Sequence, residues 1–84
     1  MEVKILGTGC PNCKRLEKVA REALDEMGAA AQVIKVTDIQ AIMAYYILST
    51  PGLVIDEKVV SYGRIPSKAE VTSIIATALS AAES

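Results

Sequence analysis

The sequence predicts an α/β fold: a four-stranded mixed sheet with helices on both faces, in the order β-α-β-α-β-β-α. Three observations lead there. An apolar run, an amphipathic stretch and a second β-rich run follow one another from Val3 to Val36 in the manner of a βαβ unit. Two further β-rich runs, Leu53–Ile55 and Lys58–Tyr62, sit at hairpin spacing. A helical periodicity then closes the chain, with Val71, Ile74, Ile75, Ala78, Leu79 and Ala82 on one face.

Taken in order, Val3–Leu6 reads as a short buried strand ended by the turn residues Gly7-Thr8-Gly9. From Pro11 to Met27 the apolar residues Leu16, Val19, Ala20, Ala23, Leu24 and Met27 recur at helical spacing, and Arg15, Lys18, Glu22, Asp25 and Glu26 cover the opposite face. Pro11 suits the first helical position, where its missing N–H is no loss, and Gly28 suits the left-handed residue after the last turn. Gln32–Val36 is the second strand, parallel to the first through a right-handed crossover. Thr37 and Gln40 fit a capping box for a short helix that ends near Tyr46 and turns Ile39, Ile42 and Met43 inward. Asp56-Glu57 forms the hairpin turn between the last two strands, and Ser67 with Glu70 forms a capping box for the closing helix.

Eighty-four residues, 51% of them hydrophobic and 23% charged, have the balance of a globular chain, and residues 1–84 are expected to form one domain. With no Phe or Trp, the core must be aliphatic and closely packed. A net charge of −1 with interleaved signs offers no footprint for nucleic acid or anionic lipid. No apolar run approaches the roughly 20 residues that cross a bilayer, so no membrane partner is expected. Met1-Glu2-Val3-Lys4-Ile5-Leu6 lacks the basic and apolar regions of a signal peptide, which points to the cytoplasm.

The chemistry lies in Cys10-Pro11-Asn12-Cys13. Two cysteines three residues apart close too short a loop to add much stability, so the pair is chemical rather than architectural. At the start of a helix, free N–H groups and the positive end of the dipole favour the thiolate of Cys10. Cys10 is therefore the expected nucleophile, forming a mixed disulfide that Cys13 resolves from within the molecule. Lys14 adds positive charge nearby or is simply solvated. Two thiolates also suit Cu(I), or Zn(II) shared across a dimer, so a metal carrier is an alternative. A third reading is an interaction module that uses only the shape of the site.

Three segments carry a resemblance: Gly7-Thr8-Gly9-Cys10-Pro11-Asn12-Cys13, Ser49-Thr50-Pro51-Gly52-Leu53-Val54-Ile55-Asp56 and Gly63-Arg64-Ile65-Pro66-Ser67. Together they make the chain similar to the small thioredoxin-like redox-active disulfide proteins of archaea and bacteria, which are glutaredoxin-sized. The resemblance implies strand order 2-1-3-4 and a dithiol oxidoreductase that reduces protein or small-molecule disulfides. It implies no bound cofactor, and an unidentified thiol reductase as electron donor. Cys10 and Cys13 would be catalytic, with Pro11, Asn12, Thr50, Pro51 and Gly63 binding substrate. Pro51 would be cis and face Cys10, Thr50 would offer backbone groups to an extended partner, and Gly63 would leave room above the site. The resemblance has departures as well. Relatives generally carry Gly where Tyr46 and Glu57 stand, no Trp precedes Cys10, and Tyr62-Gly63-Arg64 replaces the glutathione contact typical of glutaredoxins. Tyr46 is expected to fill core space. Heavy-metal-associated domains also place two cysteines between a strand and a helix, but they end in a strand, whereas this sequence predicts a final helix.

Overall fold

The computed structural model describes residues 1–83, with side chains through residue 80. Its elements are β1 (Glu2–Leu6), α1 (Pro11–Met27), β2 (Gln32–Val36), α2 (Ile39–Met43), β3 (Gly52–Ile55), β4 (Lys58–Tyr62) and α3 (Lys68–Glu83). The sheet runs β2-β1-β3-β4, with β1 parallel to β2 and antiparallel to β3, and β3 antiparallel to β4. The expected order 2-1-3-4 is thus present, and the chain closes on a helix.

Strand alternation sorts the core onto two faces. Val3 and Ile5 of β1 and Leu53 and Ile55 of β3 point to one side, where they meet Leu16, Ala20, Ala23 and Leu24 of α1 and Val71 and Ile75 of α3. Ile74, Ala78 and Leu79 join the edge of this cluster as their spacing requires; Ala82 lies outside the described side chains. The other side holds a much smaller cluster of Leu6, Val54 and Ile42, flanked by Val36, Tyr45, Ile47 and Val59. An extra residue in β4 shifts its register, so that Leu53 pairs with Ser61 and Val54 with Val59.

Helix α1 has both expected ends. Pro11 is its first residue, and Gly28 follows it at φ 63°, its N–H donating to Asp25 O while that of Ala29 donates to Leu24 O. The capping box of α3 is also present: Ser67 Oγ accepts from the Glu70 N–H at 3.2 Å, and Glu70 reaches back to the Ser67 N–H.

The short helix differs from expectation in two ways. Asp38, not Thr37, caps it, its carboxylate accepting from the Ala41 N–H at 3.1 Å. The start therefore falls one residue later, and Gln40 is no longer three residues from the cap. In a five-residue helix there is only one inward position: Ile42 is buried, whereas Ile39 is 61% and Met43 66% exposed. Periodicity has too few turns here to define a face, so docking on the sheet decides it.

The Asp56-Glu57 turn holds both residues at positive φ, 47° and 68°. That is the backbone of a tight hairpin turn matched to strand twist, and it explains why glycine would suit position 57. Glu57 instead reaches across to Lys4, which also bonds the Tyr45 hydroxyl at 3.0 Å. The Lys4 ammonium holds the Glu57 carboxyl below its usual range, while Glu57 and then Tyr45 raise the Lys4 amine. Tyr46, expected in the core, is 91% exposed at φ 58°; its neighbour Tyr45 turns inward instead. The chain reverses at Tyr46, which sends adjacent side chains to opposite sides.

Candidate active site

The site forms where β1 and β3 end together. Register places Leu6 opposite Gly52, so the segments Gly7–Cys10 and Ser49–Pro51 leave the sheet side by side. Gly7 bonds its N–H to Val36 O at 3.0 Å and is buried against the second cysteine. A Cβ on Gly7 would overlap Cys13 Sγ, which gives the first glycine of the motif a packing reason.

Cys10 and Cys13 are joined in a disulfide with their Cα atoms 5.1 Å apart. Cys10 occupies the cap position of α1, and its sulfur accepts from the Cys13 N–H at 3.2 Å. The sulfur thus sits at the positive end of a 17-residue helix with no acidic residue in its first turn. Both features favour negative charge on Cys10 once the bond is reduced. The two cysteines differ in access: Cys10 is half-buried, whereas Cys13 is only 5% exposed. Pro11 and Asn12 are exposed beside Cys10, and so is Lys14, which also lines a cavity behind Cys13.

On the neighbouring loop the Thr50–Pro51 peptide is cis, as the resemblance implied, with Pro51 buried and Thr50 exposed. Gly63, at φ 75°, donates its N–H to Pro51 O at 2.9 Å and abuts Ser49, whose hydroxyl a Cβ at position 63 would overlap. Gly63 therefore holds the proline loop through this bond and its close approach to Ser49. The segment after it is pinned by Arg64, which donates to Glu70 at 2.7 Å and keeps that carboxyl below its usual range, with help from the Ser67 backbone.

Two features of the site escape sequence reading. The first is an apolar shelf: a groove of about 250 Å³ is lined by Thr8 and Thr50 at its active-site end and by Ile39, Met43, Ile47 and Leu48 beyond. Leu48 is 89% exposed, and no charged residue lines the groove. Contiguous exposed apolar side chains mark contact surfaces more often than isolated ones do. The second is the cavity behind Cys13, of about 100 Å³, which Glu17 and Lys35 also line. Only the one-turn spacing of Cys13 and Glu17 hinted at it. Among the described residues no helix is long and apolar enough to cross a membrane.

Comparison with known proteins adds to this geometry. A family model described as a thioredoxin domain matches residues 1–76. A thioredoxin of Methanothermobacter thermautotrophicus is 40% identical over 75 residues, covering 89% of this chain and 97% of the relative. A thioredoxin of Methanocaldococcus jannaschii is 39% identical over 69 residues, covering 82% and 79%. Among solved structures, thioredoxin 1 from the thermophilic eubacterium Thermosipho africanus superposes with a TM-score of 0.61 at 20% identity, covering 100% of both chains, a likeness of fold.

Proposed function

Because this chain belongs to the thioredoxin domain family and is a thiol-disulfide oxidoreductase, we propose that Cys10 makes the attack on a disulfide and Cys13 the release. The observation that carries this division is the difference in access between the two sulfurs. A partner disulfide can reach Cys10 at the cap of α1 but not Cys13 beneath it. The Cys10 thiolate attacks one partner sulfur, the partner disulfide breaks, and the other partner sulfur leaves and takes a proton. Cys13 then attacks Cys10 Sγ, the bond to the partner breaks, and the chain is left oxidised in the form described above. Two electrons pass to the partner, and a thiol reductase returns them. In a reducing cytoplasm, net flow runs toward reduction of the partner.

Thr50, Pro51 and Gly63 border the place where the partner lies. Exposed Thr50 offers its backbone to an extended segment, as in strand addition, while Pro11 and Asn12 flank the other side. The adjoining shelf favours protein disulfides over small charged ones. An apolar side chain near the partner cysteine fits Met43 and Leu48, whereas a glutathione-like ligand would find no charged group in the groove.

Dithiothreitol-driven reduction of insulin tests the reading. Cys10→Ser is expected to abolish it, and Cys13→Ser to accumulate a mixed disulfide that mass spectrometry places on Cys10. Activity surviving in Cys10→Ser would reject the assignment.

A further inference from the structure

The exposed face of α1 is divided by charge. Near its start Lys14, Arg15 and Lys18 are exposed, at spacings that place them on one face with Pro11, so they continue the surface beside Cys10. Farther along, Glu22, Asp25 and Glu26 continue the same face. This order opposes the helix dipole, which favours acids at the start of a helix and bases at its end; α1 has no acid in its first turn and no base in its last. Charge kept for solubility alone would be served as well by the reverse order, and the helix would be more stable for it.

The three cations are not used inside the molecule either. Lys4, Arg21, Lys35, Arg64 and Lys68 each bond a carboxylate, whereas among the described residues Lys14, Arg15 and Lys18 bond none. The carboxylate nearest to them on the helix, Glu17, is only 18% exposed and is turned to Arg21 and Lys35. From Cys10 at the cap to Lys18 the strip extends about 12 Å along the axis, at about 1.5 Å per residue. About four residues of extended chain span that length.

We infer that Lys14, Arg15 and Lys18 form a docking strip for the disulfide-bearing protein, matched to Asp and Glu side chains within about four residues of the partner cysteine. The inference deepens the function proposed above and rests on Cys10 as the attacking sulfur. The strip does no chemistry: it raises the rate of encounter and holds the partner sulfur over Cys10. Glu22, Asp25 and Glu26 repel the same acidic segment, which confines it to the cysteine end of the helix. The groove lined by Thr8 and Thr50 has no charged residue, so the two surfaces recognise different parts of a partner.

Three peptides test it, alike except that the residues flanking a single cysteine are acidic, neutral or basic, each with that cysteine activated as its 2-pyridyl disulfide. The Cys10 thiolate bonds to the peptide sulfur, the bond to the pyridyl sulfur breaks, and thiopyridone leaves with the electron pair and takes a proton. Stopped-flow absorbance reads that release from the reduced protein. In the ratio of the acidic to the neutral rate, any change in the Cys10 thiolate itself cancels. Combining Lys14→Gln, Arg15→Gln and Lys18→Gln should lower this ratio about tenfold at low ionic strength, the lower end of electrostatic steering, and raise the ratio of basic to neutral. The drop should vanish at about 1 M salt, where the screening length is about 3 Å. The variant should melt no lower than the parent, because it removes charges that the dipole disfavours. An unchanged ratio, or a drop of equal size at every salt concentration, would overturn the docking role. So would a lower Tm, by showing that the cations serve the helix. Thiopyridone released by Cys10→Ser would instead bring down the cysteine assignment itself, a result read in a different variant.

Discussion

The two faces of the sheet are built to different standards. On the α1 and α3 side, ten buried side chains form one aliphatic cluster, with Ser61, paired to Leu53, as a buried polar side chain on the same face. On the α2 side only Leu6, Ile42 and Val54 are buried, and the rim is a polar network in which Lys4, Tyr45 and Glu57 bond to one another. The contrast separates two tasks. The thick face anchors α1, which has one cysteine at its cap and the other in its first turn. The thin face carries the chain that leads to Thr50 and Pro51, and it leaves the apolar side chains of Ile39, Met43 and Leu48 uncovered beside them.

Cutting one side chain from each face should separate their contributions to stability. Leu16 is fully buried beneath the active-site helix, so Leu16→Ala should cost about 3–5 kcal/mol, the upper part of the range for such truncations. Ile42, at 6% exposure in the smaller cluster, should cost about 2 kcal/mol as Ala, the bottom of the range, because a short helix at an open rim can settle into the space. Urea unfolding of both variants measures the difference. Equal losses would show that the α2 face is as much a part of the stabilising core as the other.

The same contrast explains what could be read from the amino acids. Everything attached to the thick face was legible: the seventeen-residue helix announces itself through Leu16, Ala20, Ala23 and Leu24, its Pro11 start and its Gly28 stop, and the closing helix through Val71, Ile75 and the Ser67–Glu70 box. Long elements average their pattern over several turns. On the thin face, α2 has five residues, and a single residue of shift moved the cap from Thr37 to Asp38 and left Ile39 and Met43 outside. Tyr46 was expected in the core and Tyr45 packs there instead, because a reversal at one positive φ cannot be read from residues that give no sign of it. The cysteines were legible from spacing alone.

A second probe targets activity instead of stability. Leu48 is almost fully exposed, so Leu48→Ser should leave the unfolding transition within about 0.5 kcal/mol, as surface substitutions usually do. If the groove holds an apolar partner side chain, kcat/KM for insulin should fall about tenfold, which corresponds to about 1.4 kcal/mol of lost transition-state stabilisation. Reduction of a small disulfide such as hydroxyethyl disulfide should stay within about twofold, because burying a Leu matters only where a partner covers it. Parallel losses on both substrates would mean that Leu48 shapes the proline loop rather than the partner site.

The smallest expected effect concerns the strain that the thin face tolerates. Tyr46 holds φ 58° with its ring in solvent, so it bears the cost of a left-handed backbone without visible packing in return. That cost is about 1–2 kcal/mol for a residue with a Cβ, and glycine removes it while adding about 0.5–1 kcal/mol of unfolded-state entropy to be lost on folding. Tyr46→Gly should therefore raise stability by about 0.5–1 kcal/mol, or roughly 2–8 °C in Tm for a chain of this size. The position lies within the segment that leads from α2 to Thr50, so the activity of this variant is informative too. Greater stability with weaker insulin reduction would mean that the exposed ring is kept for contact with partners; greater stability at full activity would leave the ring without a role there. A fall in Tm would show instead that the Tyr46 ring supports the thin face, and the line drawn between the two faces would then have to move.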